Sequence, residues 1–251
     1  MIPKIIHYCW LSTDPIPIVL QNYLDTWKEK LPDYELMWWN FDRFDKNSSL
    51  WVKQSFDCKK YAFAADYIRL YAVYKYGGIY LDLDVEVLKS FDAFLNLKTM
   101  ICYESEGGGL EVAAFGAEKN ALWVKHCLSY YENRPFIKEN GEYNMKVLPL
   151  IVYDMLVKKN YNLVPVSTIH EAAEIVDNQS IPVFGSEYFS PKSHSTGKIK
   201  LTPYTVCIHH FAGTWVPFLS KVRQNTSRIF GVFFGVKNKR IVAKLVKKLG
   251  W

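Results

Sequence analysis

The sequence predicts an α/β fold with a mixed central sheet that contains parallel strand pairs. Over residues 1–84, short apolar runs rich in β-forming residues alternate with segments of helical apolar spacing, in the order β-α-β-α-β. This alternation is typical of sheets whose faces are covered by helices. The 251 residues are 49% hydrophobic, so the chain can form one core of substantial size.

The first five elements follow from local patterns. Residues 4–10 are a short apolar run and predict the first strand. Residues 15–32 have apolar side chains at helical spacing and end at a proline, which predicts a helix. Residues 34–40 are rich in β-forming side chains and predict the second strand. Residues 58–78 predict a long helix closed by a glycine pair, and residues 79–84 predict the third strand.

The second half of the chain has less regular patterns. A helix is predicted over residues 120–134, with Asn120 as its N-cap, because Asn commonly accepts a hydrogen bond from the first turn. The apolar pattern predicts another helix over residues 149–159. Short apolar runs predict four strands, at residues 98–104, 110–117, 162–166 and 205–211.

The distribution of charge predicts two parts, a domain over residues 1–220 and a basic segment over residues 221–251. The chain has a net charge of +6, yet no Asp or Glu follows Glu187. Residues 237–249 have apolar side chains at helical spacing opposite several lysines. Such a helix suits an anionic membrane surface, although a solvated helix that covers the domain has the same pattern. Because no nucleic-acid motif accompanies the basic segment, we expect no nucleic acid as a partner.

The cysteines and the apolar runs indicate the compartment. Five scattered cysteines without a CxxC pair predict free thiols in a reducing compartment. The first residues lack the pattern of a signal peptide, and no apolar run is long enough to span a membrane. We therefore expect a cytoplasmic protein, peripheral at the inner face of the cell membrane.

Polar side chains follow the first three predicted strands. Trp10, Asn40 and the pair Asp82 and Asp84 each come at the carboxyl end of a strand, where open α/β sheets bind their ligands. A D-x-D pair that follows a strand can bring two carboxylates to one hard cation such as Mg²⁺ or Mn²⁺, together with phosphate oxygens. The alternative is that both aspartates are exposed turn residues.

The long helix before the D-x-D pair contains one acidic and one basic residue in a largely apolar stretch. Asp66 and Arg69 are three residues apart and therefore share a helix face. They form either a partly buried structural ion pair or a charged pair that binds a polar ligand such as sugar hydroxyls. The pattern alone favours neither interpretation.

Three segments in order resemble glycosyltransferase family 32: "IPKIIHYCWLS", "AADYIRLYAVYKYGGIYLDLDVEVLKSFD" and "TVCIHHFAGTW". This family has a DxD-containing sugar-binding region. It includes bacterial capsule and O-antigen glycosyltransferases and fungal mannosyltransferases, and it is similar to the glucosyltransferase domain of the large clostridial toxins. The resemblance covers residues 2 to about 215. It implies a GT-A fold that binds a nucleotide-sugar and a divalent metal ion.

The resemblance also implies a role for each matching residue. Asp66, Arg69, Asp82 and Asp84 would carry the chemistry, with Asp82 and Asp84 on the metal. The nucleotide-sugar would be bound by a larger set, namely Trp10, Asn40, Asp66, Arg69, Tyr80, Asp82, Thr214 and Trp215. Thr214 stands where family members usually have Ser. Of the adjacent His209 and His210, which point to opposite faces of a strand, the spacing to Gly213 favours His210 as the third metal ligand.

The function that the resemblance implies is a metal-dependent transfer, with retention of configuration, of a hexose to a glycan or lipid-linked saccharide of capsule, O-antigen or exopolysaccharide. UDP-galactose, UDP-glucose or a UDP-N-acetylhexosamine is the favoured donor. A double displacement would need a carboxylate beneath the sugar. Glu111 is the nearby candidate, with an exposed loop glutamate as the alternative. Two other functions stay open, a non-catalytic nucleotide-sugar or glycan binding module and a metal-dependent phosphohydrolase.

Overall fold

The computed structural model describes residues 1–105 and 109–213. A sheet of seven strands has the order β2-β1-β3-β6-β5-β8-β7, and β4 pairs with β9 in a separate two-stranded sheet. The strands are β1 (Ile5–Cys9), β2 (Glu35–Trp39), β3 (Gly78–Leu81), β4 (Val85–Val87), β5 (Thr99–Tyr103), β6 (Leu110–Ala117), β7 (Asn162–Val166), β8 (Ser180–Phe184) and β9 (Cys207–His209).

The large sheet is mixed. Strand β1 pairs in parallel with both β2 and β3, and β8 pairs in parallel with both β5 and β7. Strand β6 joins the two parallel halves through antiparallel pairs with β3 and β5. The carboxyl ends of β1, β2 and β3 therefore lie at one edge of the sheet, as predicted. The predicted α/β class with a mixed sheet is confirmed, and it agrees with the GT-A fold that the resemblance implies.

Helices cover both faces of the sheet. Side chains alternate along each strand, so neighbouring residues pack into two different cores, one on each face. Ile79 and Leu81 of β3 belong to one apolar cluster, whereas Tyr80 between them belongs to another. The helices are α1 (Ile18–Lys30), α2 (Leu50–Asp57), α3 (Tyr61–Tyr76), α4 (Leu122–Leu128), α5 (Leu148–Lys158), α6 (Ile169–Glu174) and α7 (Ser186–Phe189).

Most predicted elements are found, within a few residues of the expected bounds. The N-cap of α4 is an exception: Ala121 occupies that position, and Asn120 has a left-handed backbone with φ 63°. Asn120 therefore turns the chain before the helix instead of capping it. Strands β4 and β8 and helices α2, α6 and α7 were not predicted; each is short, and short segments give little pattern to read. The basic segment over residues 221–251 lies outside the described residues.

None of the helices in the described part of the chain is long and apolar enough to cross a membrane.

Candidate active site

The glycine pair between α3 and β3 allows the D-x-D loop to follow a strand packed closely on β1. Gly77 and Gly78 have φ of 71° and 104°, in the left-handed region that side chains disfavour. A Cβ on Gly78 would lie 2.6 Å from the carbonyl oxygen of Ile5. The pair therefore both ends the helix and lets β3 lie directly beside β1, which places Asp82 and Asp84 at the carboxyl edge of the sheet.

Arg69 lies at the centre of the first half of the site. Its Nη2 is 3.3 Å from Asp66 Oδ1 and 3.2 Å from Asp82 Oδ1, and its Nη1 donates to Asp82 Oδ2 at 3.2 Å. Nη1 also donates to the carbonyl oxygen of Val112 at 3.0 Å, and the guanidinium lies over the ring of Tyr80. The guanidinium thus forms a two-point contact with Asp82 and a second ion pair with Asp66.

Burial dominates the electrostatics of this half. Asp66 and Arg69 are 9% and 7% exposed. Burial raises the pKa of Asp66 to about 7 even though the charge of Arg69 opposes the shift. Burial also raises the pKa of Asp82, and the neighbouring Asp84 adds to the increase. Two carboxylates therefore share one guanidinium, so any loss of that cation would leave them unpaired in a region of low polarity.

Asp84 belongs to the second half of the site, which is assembled from distant segments. Its Oδ2 accepts a hydrogen bond from the backbone N–H of Ala212 at 2.7 Å, and its Oδ1 lies 3.5 Å from His209 Nε2. The other ring nitrogen of His209 lies 3.1 Å from Glu111 Oε2. Burial would raise the pKa of Asp84, but the contact with His209 and the N–H of Ala212 lower it below the usual value.

The two halves meet at a group of atoms suited to a metal ion. Ligand atoms of Asp82, Asp84 and His209 all lie within 4.8 Å of one another. Two carboxylates and one imidazole form a donor set that Mn²⁺-type ions accept, and carboxylate pairs with open positions suit ions that also bind phosphate. The residues therefore fit the divalent metal ion that the sequence predicts.

The histidine in this group is His209, whereas the sequence favoured His210. The two histidines are adjacent in sequence, but their rings have different partners. His210 Nε2 lies 2.8 Å from Glu86 Oε2, and its ring stacks on that of Tyr23 with centroids 4.6 Å apart. His210 is thus engaged beside the site, so the geometry favours His209 as the third ligand, whereas the spacing to Gly213 favoured His210.

Glu111 differs from the alternative of an exposed loop glutamate, because it lies in β6 and is 3% exposed. Its oxygens accept hydrogen bonds from the N–H of Ala113 and the hydroxyl of Ser190, in addition to the contact with His209. A lone carboxylate in the otherwise apolar stretch "LEVAAFGA" is the sequence signal that could have indicated a buried partner.

The residues predicted to contact the nucleotide are only partly brought together. Trp10 follows β1, is half-buried, and donates its indole N–H to the carbonyl oxygen of Asp14. Asn40 lines an open depression of about 410 Å³ with Trp38, Asp42 and Arg43. Tyr80 donates its hydroxyl to Asp82 at 2.8 Å. Thr214 and Trp215 lie outside the described residues.

The comparison with protein families covers the D-x-D region. Residues 17–101 match the family described as the glycosyltransferase sugar-binding region containing the DXD motif. The match includes Asp66, Arg69, Asp82 and Asp84. His209 and Glu111 lie beyond its end, so the second half of the site comes from a part of the chain that this match does not reach.

Several curated proteins are similar over the same region. Inositol phosphoceramide mannosyltransferase 3 of Schizosaccharomyces pombe is 34% identical over 111 residues, which are 43% of this chain and 31% of that protein. Inositol phosphoceramide mannosyltransferase 1 of the same yeast is 27% identical over 147 residues, which are 55% of this chain and 46% of that protein. The aligned part therefore spans less than half the length of these two relatives.

Two solved structures are similar to larger parts of the chain. The PaToxG glycosyltransferase is 21% identical, with a TM-score of 0.48, and the match covers 63% of this chain and 70% of that one. A glycosyltransferase involved in the glycosylation of the major capsid of PBCV-1 is 12% identical, with a TM-score of 0.47, and the match covers 89% of this chain and 98% of that one.

Proposed function

We propose that the chain is a glycosyltransferase of the DXD-containing family that depends on a divalent metal ion and transfers a hexose from a nucleotide-diphosphate sugar. The observation that carries this proposal is the group formed by Asp82, Asp84 and His209, whose ligand atoms lie within 4.8 Å of one another beside the buried Arg69. These three side chains would hold Mn²⁺ or Mg²⁺. When bound, such an ion neutralises the charge that develops on a departing diphosphate.

The remaining residues of the site position the donor. Arg69 keeps Asp82 in place through two contacts, and its buried Nε has no hydrogen-bond partner among the described residues. A buried donor of this kind ordinarily meets an acceptor, which a bound substrate or an ordered water supplies. Asp66 would accept hydrogen bonds from sugar hydroxyls, and the depression beside Asn40 would accommodate the nucleoside.

We propose that the transfer retains the anomeric configuration and passes through no covalent intermediate. A double displacement needs a free carboxylate beneath the sugar, and both oxygens of Glu111 are already hydrogen-bonded inside the protein. We therefore propose front-face attack, in which the leaving phosphate accepts the proton of the acceptor hydroxyl. The product would be an α-linked glycoside if the donor is α-linked.

For the donor and for the acceptor we propose a set of candidates instead of one compound. UDP-galactose, UDP-glucose and a UDP-N-acetylhexosamine remain the favoured donors, and two curated relatives are named mannosyltransferases, which adds GDP-mannose. The acceptor would be a glycan or a lipid-linked saccharide of a capsule, O-antigen or exopolysaccharide. Relatives whose names contain inositol phosphoceramide add a glycolipid to these candidates.

Nucleotide release from these four donors, with Mn²⁺ and then with EDTA, tests the proposal. We expect slow release from one donor that requires Mn²⁺ and that a saccharide acceptor accelerates. Release that no acceptor accelerates would instead indicate a phosphohydrolase. Neither release nor Mn²⁺-dependent nucleotide binding from any donor would overturn the metal-dependent transfer.

We further propose that the basic segment places the enzyme at the cytoplasmic face of a membrane. Residues 188–251 contain 12 Lys and Arg and no acidic residue, which favours an anionic lipid surface. Deletion of residues 237–251 should reduce binding to vesicles that contain phosphatidylglycerol and leave donor hydrolysis in solution unchanged. Equal vesicle binding by both chains would exclude this role.

A further inference from the structure

Glu111 is a buried carboxylate, and each of its described hydrogen-bond partners is a donor group or an imidazole nitrogen. The backbone N–H of Ala113 donates to Oε1 at 2.7 Å, and the Ser190 hydroxyl donates to Oε2 at 2.8 Å. His209 Nδ1 lies 3.1 Å from Oε2. Because both oxygens face donors, Glu111 acts as an acceptor on both sides, which an ionised carboxylate does best.

This arrangement determines which nitrogen of His209 carries the proton. A carboxylate that only accepts requires Nδ1 to donate, so in the neutral imidazole the lone pair is on Nε2. Nε2 is also the nitrogen that faces Asp84, whose Oδ1 is 3.5 Å away. A neutral imidazole and a carboxylate that face each other as acceptors repel, so this contact is stabilised by a positive charge between them, either a second proton on Nε2 or a metal ion.

We infer that Glu111 is a positioning residue that holds His209 in the tautomer and orientation required for binding a divalent metal ion through Nε2. The inference rests on the proposed function, since it assigns Glu111 to the same metal site. Carboxylates that accept a hydrogen bond from a metal-binding imidazole orient the ring and raise its affinity for the metal. Glu111 does so from β6, on the opposite side of the ring from Asp84.

Mn²⁺ binding to the full chain without substrate tests this role. Glu111→Gln has nearly the same shape, but its amide N–H₂ can donate to Nδ1 and so move the imidazole proton to Nε2. We expect Glu111→Gln to weaken Mn²⁺ binding roughly 10- to 100-fold by calorimetry or by the EPR signal of free Mn²⁺. The matched control, Ser190→Ala, removes a donor from the same carboxylate without changing the tautomer, and we expect less than about a threefold change.

A double-mutant cycle shows whether Glu111 acts through His209. If it does, Glu111→Gln should weaken Mn²⁺ binding no further in a His209→Asn background. Equal losses with and without His209, or an unchanged affinity in the single Glu111→Gln variant, would overturn the inference. A wild-type chain that binds no Mn²⁺ would overturn the proposed metal site itself, so the two failures are distinguishable.

Two further measurements keep the test valid if Glu111→Gln fails to fold. Glu111→Asp retains the charge but withdraws the oxygens from the ring, so Mn²⁺ binding should weaken by an intermediate factor; unchanged binding would contradict the inference. In the metal-free wild-type chain, ¹⁵N NMR of the His209 ring, assigned from its loss in His209→Asn, should show Nδ1 protonated, whether the ring is neutral or carries a second proton on Nε2. A neutral ring that carries the proton on Nε2 would also contradict it.

Discussion

Asp82 and Asp84 are separated by one residue, yet different parts of the chain hold them. Asp82 contacts Arg69 of α3 and Tyr80 of β3. These are the two elements that directly precede Asp82 in the sequence. Asp84 is held by His209 and by the N–H of Ala212, which follows it by 128 residues. The pKa shifts also differ in direction: burial raises the pKa of Asp82, whereas His209 and the N–H of Ala212 lower that of Asp84 against the effect of burial.

The difference shows that one short motif combines two kinds of support. The half around Asp82 is a local helix–strand unit in which a buried carboxylate, Asp66, and a partly buried one, Asp82, depend on one guanidinium. The half around Asp84 forms only when β9 pairs with β4, because this pairing sets His209 opposite Val85. We therefore expect substitutions in the first half to affect folding most and substitutions in the second half to affect metal binding most.

The largest expected effect is on stability, in the half around Asp82. Arg69→Met should lower the free energy of unfolding by about 3–5 kcal/mol, because it leaves the buried Asp66 and the partly buried Asp82 without a cation. Urea unfolding at neutral pH measures this change. Arg69→Lys, which keeps the charge but loses the two-point contact, should lose less. Wild-type stability in Arg69→Met would show that the two carboxylates do not need this partner.

In the half around Asp84, the largest expected effect is on catalysis. Asp84→Asn keeps an oxygen for the N–H of Ala212 but removes the charge, so Mn²⁺-dependent turnover should fall roughly 100-fold or more, equivalent to about 3 kcal/mol. Far-UV circular dichroism and urea unfolding should change little. Turnover at the wild-type rate would remove Asp84 from the proposed metal ligands.

The two adjacent histidines offer a matched pair. His209→Asn should weaken Mn²⁺ binding roughly 10- to 100-fold, because it removes a proposed ligand and its link to Glu111. His210→Asn should change Mn²⁺ binding by about threefold or less, because His210 contacts Glu86 and Tyr23 instead. If His210→Asn had the larger effect, the original preference for His210 would be restored.

His7 offers a comparison with His209, because it is a buried imidazole that contacts no carboxylate among the residues the structure describes. Its Nε2–H donates to the carbonyl oxygen of Gly77, and its Nδ1 accepts from the indole N–H of Trp39. Burial lowers its pKa from 6.5 to about 4 against the effect of the Gly77 contact, and Arg43 adds a smaller decrease.

Because the folded state holds His7 neutral, this residue contributes stability above pH 6.5 that is lost as the pH falls toward 4. At pH 5 the loss is about 2 kcal/mol relative to neutral pH. Urea unfolding at both pH values measures it, and His7→Gln, which does not titrate, should lose about 2 kcal/mol less. The same pH dependence in both chains would show that other groups cause it.

Local pattern was sufficient to predict the helix and the strand that carry the half of the site around Asp82. The periodicity of residues 58–84 predicted the helix, its glycine stop and the strand, and the three-residue spacing placed Asp66 and Arg69 on one face. The structure then showed that Arg69 bridges Asp66 and Asp82, so that the ion pair extends to the D-x-D loop. No periodicity indicated that a guanidinium on α3 would contact a carboxylate beyond β3.

The sequence by itself determined the α/β class, the order of the first elements and the residue types available for a metal site. Only the tertiary structure placed His209 beside Asp82 and Asp84, with His210 against Glu86, and brought Glu111 into the core. The physical reason is that adjacent residues of a strand point to opposite faces, and the face that meets Asp84 depends on how β9 pairs with β4. That register is set by contacts between segments more than 100 residues apart, to which local spacing is insensitive.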